Sequence, residues 1–199
     1  MKRLGILLSG RGSNFEAIAE NIGRGRLNAE IAAVISNRAD AGGIAIARER
    51  GLPALVLPSK GVPREEYDRR VVAELQNRGV ELVCLAGFMR LLTVEFCRAF
   101  PLRALNIHPS LLPAFPGLDA QKQALEHGAK ISGCTVHFAD EHLDAGPIIL
   151  QAAVPVLDGD IEQTLAARIL VEEHRIYSEA IGIILSGRWR IEGRRVIAE

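Results

Sequence analysis

The chain has 199 residues, 48% hydrophobic and 24% charged, ordinary proportions for a folded protein able to bury a substantial core. Lys+Arg and Asp+Glu are equal at 24, and this zero formal charge excludes a broad nucleic-acid-binding surface while leaving room for a local anion pocket. The three cysteines, Cys84, Cys97 and Cys134, are odd in number and form no close pair, which argues against a disulfide framework and for a reducing, cytoplasmic setting.

Leu4 to Leu8 is a short apolar run, too short to span a membrane, and it stops at the turn-forming Ser9-Gly10-Arg11-Gly12-Ser13-Asn14. Phe15 to Ile22 then reads as a helix, so the first unit is strand, glycine loop, helix. Ile31 to Ile35 is strand-like, Ile44 to Arg50 helical and closed by Gly51, and Ala54 to Leu57 a third apolar run. Pro63 marks a helix start, after which Tyr67, Val71 and Leu75 share one face up to Gly79. Leu82 to Ala86 and Ala104 to Ile107 are further strands. The second leads into His108 to Gly117, where three prolines and a glycine forbid a regular element. Cys134 to Phe138 and Ile148 to Val156 read as two more strands. Asp160 with Gln163 suggests a capping box opening a long helix to about Leu185. Continuous apolar strands alternating with helices predict an α/β fold over residues 1–199: a doubly wound, mostly parallel sheet with helices on both faces, in one domain.

Three segments carry candidate chemistry. In the Ser9 to Asn14 loop, small residues before a helix let backbone N–H groups converge on an anion, with Ser13 and Asn14 as further donors. Phe15 stands at the third-glycine position of a dinucleotide fingerprint, which favours a phosphate monoester over a dinucleotide. Asn106 and His108 project to one side of a strand end, with Ile107 opposite, and pair an amide donor with a titratable imidazole. The acidic loop Asp140 to Pro147 reads first as a solvated turn. Beside that stand a metal set from His137, Asp140, His142 and Asp144, which lacks any standard spacing, and a carboxylate that orients His108. Glu173 interrupts the apolar row Leu165, Ile169, Tyr177 of the last helix, so it must be paired, hydrogen-bonded or beside a crevice.

These blocks, with Ala86-Gly87-Phe88-Met89-Arg90, Asn106-Ile107-His108-Pro109-Ser110-Leu111-Leu112-Pro113, Phe115-Pro116-Gly117 and Leu143-Asp144-Ala145-Gly146-Pro147, occur in one order along most of the chain. In them the sequence resembles the glycinamide ribonucleotide transformylase branch of the folate-dependent formyltransferases. The resemblance implies a Rossmann-like formyltransferase fold. Its N-terminal half would hold the nucleotide, and its C-terminal half catalysis and folate. It implies Asn106, His108 and Asp144 as the catalytic trio, and Gly12, Ser13 and Asn14 as a phosphate cradle. Glu173 would accept hydrogen bonds from ribose hydroxyls. Arg64, Met89, Arg90, Leu91, Leu92, Asn106, Asp140 and Asp144 would contact the folate, with Asp140 to Asp144 looping over the pterin. The implied co-substrate is 10-formyltetrahydrofolate, with no metal, and the implied partner is a phosphoribosyl glycinamide, with no nucleic acid or membrane, in a monomer or homodimer. Asp119 departs from the pattern, since the family often has histidine there. A formyltetrahydrofolate hydrolase using the same trio is the alternative. In that group an N-terminal regulatory domain is usual and the phosphate loop is missing, whereas this chain starts at its first strand.

Overall fold

The computed structural model describes residues 1–199. In β1 (Lys2–Leu8) the strand alternation builds two faces at once: Leu4, Ile6 and Leu8 enter one core and Leu7 the other. The chain continues through α1 (Ser13–Gly23), β2 (Ala29–Ser36), α2 (Gly42–Glu49) and β3 (Ala54–Val56). Then come α3 (Arg64–Asn77), β4 (Leu82–Leu85), α4 (Val94–Ala99) and β5 (Ala104–His108). The second half holds α5 (Ala120–Glu126), β6 (Ile131–Phe138), β7 (Ile148–Pro155), α6 (Glu162–Ser186), β8 (Trp189–Glu192) and β9 (Arg195–Ala198).

One nine-stranded sheet runs in the order β3-β2-β1-β4-β5-β6-β7-β9-β8. Pairing is parallel from β3 to β5 and turns antiparallel through β6 and β7. Helices α1, α2 and α6 cover one face, where Phe15, Ile18, Ile44, Ile169, Tyr177 and Ile181 meet the sheet. Helices α3 and α4 cover the other with Tyr67, Val71, Leu75 and Phe96. Each such side chain taken out of water contributes about 1.5–3 kcal/mol. The doubly wound, mostly parallel sheet expected from the apolar runs is therefore the fold.

Two details differ from the sequence reading. The start of α6 uses Thr164 in place of Gln163: Ile161 has the extended N-cap conformation, and its N–H donates to Thr164 Oγ1 at 3.0 Å. Asp160 thus lies one residue outside the helix, where it binds the Arg168 guanidinium at 2.7 and 2.9 Å. Elements α4, α5 and the β8–β9 hairpin were also not anticipated; the hairpin extends the sheet beyond β7.

Candidate active site

In the strand order, β1 has β2 on one side and β4 on the other, so the winding reverses there and a crevice opens outside the strands' carboxyl ends. The crevice has a volume of about 650 Å³, and its lining takes in Asn14, Asn106, His108, Asp144 and Glu173 together. Met89, Arg90, Leu91, Leu92 and Asp140 line it as well. Gly12 and Ser13 stand at the N-terminus of α1 outside the lining, and Arg64 opens α3 with its guanidinium 3.9 Å from Glu65.

The glycine loop is shaped by close packing of two helix N-termini. Gly12 has φ +84°, and a Cβ there would meet the Cα of Gly43 at 2.7 Å. Gly43 N–H also donates to Gly10 O at 3.1 Å, tying α2 to the loop. Ser9 links this loop to the β4 exit: its N–H donates to Gly87 O at 3.0 Å, and its hydroxyl accepts from Met89 N–H at 3.0 Å. That anchors the Met89 to Leu92 strip along the crevice. The Arg90 guanidinium lies 4.6 Å from the centre of the Tyr67 ring, the one permanent cation in the lining. Below it, burial pushes the Asp68 carboxyl up, while the Thr93 N–H at 2.8 Å and the charges of Arg90 and Arg64 pull against that rise.

Alternation in β5 sends Ile107 into the core and turns Asn106 and His108 to the crevice. Antiparallel pairing puts His137 directly opposite Asn106, so the Asn106 amide nitrogen lies 3.2 Å from His137 Nε2. His137 Nδ1 is 2.9 Å from Phe138 O, which puts a proton on Nδ1, and Nε2 faces both the Asn106 amide and Asp144 Oδ1, the latter at 3.7 Å. The β6–β7 loop then delivers Asp144. Gly146 permits this, because a Cβ there would fall 1.8 Å from Phe138 O. Asp144 Oδ2 accepts from Gly117 N–H at 2.8 Å and lies 3.3 Å from His108 Nδ1, while Oδ1 lies 3.5 Å from the Asn106 amide. Burial pushes the Asp144 carboxyl up, but the hydrogen bond from His137, the Gly117 N–H and the charges of His108 and His137 outweigh it. The group sits below the usual carboxylate range. His108 Nε2 faces Phe115 O at 2.9 Å, so both ring nitrogens face acceptors, an arrangement that a doubly protonated imidazole satisfies.

Sequence reading placed His137 only within a possible metal set and missed it as the partner of Asn106 and Asp144. The signal was the alternation of β6: Cys134, Val136 and Phe138 enter the core, so Thr135 and His137 share the face of Asn106 and His108. Thr135 is fully buried and holds the loop after His108, donating to Ser110 O at 2.7 Å and accepting from Leu112 N–H at 3.0 Å.

A ligand-sized crevice at the switch point of a doubly wound sheet, with an imidazole–carboxylate pair at a strand's carboxyl end, marks an α/β enzyme acting on small molecules. Residues 2–181 match the family model described as formyl transferase. The phosphoribosylglycinamide formyltransferase of Escherichia coli (strain K12) is 43% identical over 187 residues, which cover 94% of this chain and 88% of that protein. The crystal structure of glycinamide ribonucleotide transformylase 1 from Symbiobacterium toebii is similar at a TM-score of 0.97 and 55% identity, over 100% of this chain and 94% of that one. A formyltetrahydrofolate deformylase from Pseudomonas syringae pv. tomato has a TM-score of 0.93 at 26% identity, and the similarity covers 65% of its chain. The chain spans about 14% of the length of the trifunctional purine biosynthetic protein adenosine-3 of Drosophila pseudoobscura pseudoobscura, at 49% identity. The chain belongs to the formyl transferase family.

Proposed function

We propose that the protein transfers the formyl group of 10-formyltetrahydrofolate to the amine of N1-(5-phosphoribosyl)glycinamide, a step of de novo purine biosynthesis. The observation that carries this reading is the presence of Asn106, His108 and Asp144 in one crevice with Asn14 and Glu173 of the nucleotide side. The substrate amine attacks the formyl carbon and forms a carbon–nitrogen bond, leaving a negative oxygen on a tetrahedral carbon. The Asn106 amide and His108 Nε2, once released from Phe115 O, donate to that oxygen. Asp144, held ionised by its neighbours, keeps the His108 proton in place and takes up the proton shed by the amine, directly or through water. His108 protonates the leaving folate nitrogen as the old carbon–nitrogen bond breaks. The nucleophile comes with the substrate, so the step uses no covalent enzyme intermediate.

The folate side of the reading rests on the rim. Met89, Leu91, Leu118 and Leu143 expose large apolar side chains around the crevice, suited to a flat ring system, and Arg90 suits a carboxylate. Backbone N–H groups at the N-terminus of α1, with Gly12 in the left-handed conformation, suit the phosphate. Arg64 is proposed to reach the folate tail from the start of α3. The three free cysteines fit a reducing compartment, and the cytoplasm is the proposed location. No helix is long and apolar enough to cross a membrane. Water in place of the amine would make the same trio a hydrolase, but the hydroxyl-reading carboxylate of Glu173 would then serve nothing. Mass spectrometry of the products decides: an N-formylated nucleotide supports transfer, and formate formed at the same rate with or without the nucleotide supports hydrolysis.

A further inference from the structure

Glu173 lies on α6 in a row of core residues, 8% exposed, with Ile169 and Tyr177 one turn to either side. It forms no ion pair; its one hydrogen-bond partner is Asn14, whose amide nitrogen lies 2.8 Å from Glu173 Oε2. Cys134 of β6 and Tyr177 of α6 are two titratable groups whose ionisation the Glu173 charge opposes. Burial pushes the Cys134 thiol up to about 12 and raises the Tyr177 phenol well above its ordinary range, so both stay neutral beside Glu173. Burial likewise pushes the Glu173 carboxyl up, and the Asn14 amide is the group that opposes the rise. The far end of the same amide, Asn14 Oδ1, is buried without a partner. Turning the amide over would set oxygen against carboxylate, so Glu173 dictates which way Asn14 faces.

From this geometry we infer that the Asn14 side chain is a positioning residue for the hydroxyl-reading carboxylate of Glu173 rather than a ligand of the phosphate. The inference rests on the proposed nucleotide substrate. Backbone N–H groups of the glycine loop then hold the phosphate, and the Asn14 amide keeps Glu173 aimed into the crevice toward the two ribose hydroxyls. A carboxylate that loses its only donor in a buried position turns or protonates, and hydroxyl recognition goes with it.

Two readouts separate the roles. The first is binding of the phosphorylated substrate and of its dephosphorylated ribosyl form to wild type, Asn14→Ala and Asn14→Ser, with melting temperature recorded to confirm folding. Asn14→Ala is expected to weaken both ligands by a similar factor, about 10- to 100-fold, with folate binding unaffected and partial recovery in Asn14→Ser. The second is a double-mutant cycle with Glu173→Gln, in which the Asn14→Ala penalty should largely vanish once Glu173 is neutral. An Asn14→Ala loss confined to the phosphorylated ligand, or undiminished in the Glu173→Gln background, overturns the inference and makes Asn14 a phosphate ligand. Failure of wild type to bind the phosphorylated substrate at all defeats the proposed function, and the inference falls with it.

Discussion

His108 has no free ring nitrogen in this structure: Nδ1 faces Asp144 at 3.3 Å and Nε2 faces Phe115 O at 2.9 Å. In the proposed mechanism the oxyanion therefore has to displace a backbone carbonyl, while the contact with Asp144 persists to hold the ring. Asn106→Ala and His108→Ala should each lower kcat by about 10²- to 10³-fold, the usual cost of losing an oxyanion donor, and Asp144→Ala by about 10²- to 10⁴-fold through loss of the proton acceptor. Because Asp144 lies against both Asn106 and His108, the double variants should lose less than the product of the single losses in steady-state kinetics. Near-normal turnover in any single variant would remove that residue from the mechanism. Asp144 adds a pH signature to stability. Its folded carboxyl titrates below the ordinary range, so the stability it contributes is present above its unfolded value and is lost as pH falls through the folded one. Asp144→Asn should flatten the acid limb of denaturant-unfolding stability; an unchanged limb would show that Asp144 carries none of it. At this scale Asn106 and His108 were legible as candidates because Asn106-x-His108 is a strand alternation, whereas the acidic loop offered several carboxylates and only the family resemblance singled out Asp144. His137 was not legible, since its partnership with Asn106 depends on antiparallel register, which no local pattern encodes.

The pairing of α1 and α2 at Gly12 and Gly43 is a tightly constrained junction beside the crevice. A Cβ on Gly43 would meet Leu8 Cδ2 at 2.5 Å and the Gly12 Cα at 3.2 Å. Gly43→Ala should lower stability by about 1–3 kcal/mol and weaken nucleotide binding more than folate binding, because the loop rather than the Met89 strip is pushed. Thermal unfolding and calorimetric titration of each ligand check this, and equal weakening of both would make the junction purely structural. Long helices were readable: α3 and α6 show clear periodicity, and their predicted faces enter the cores, while β1 was readable as a continuous apolar run. Helix α4 has six residues and α5 seven, less than two turns, too few for a period to declare itself. The β8–β9 hairpin turns on Gly193-Arg194 between strands of four residues each, without the usual Asn-Gly or Asp-Gly signal.

Across the whole molecule, one sheet brings together the two proposed ligand regions, which lie far apart in sequence. The glycine loop enters from β1 and Glu173 from α6, while the Met89 strip follows β4 and the trio follows β5 and β6. The doubly wound fold was legible because its parallel strands are continuous apolar runs. The crevice's composition was legible only through blocks scattered along the chain, since contact between Asn14 and Glu173 spans 159 positions. The central claim is that the reaction needs an amine supplied by a second substrate. Its most direct measurement follows loss of the formyl group from 10-formyltetrahydrofolate by purified protein, with and without N1-(5-phosphoribosyl)glycinamide. Release that appears only with the nucleotide, in equal amount to the formylated product, is the predicted result. Release at the same rate in its absence would contradict the claim and make the protein a hydrolase.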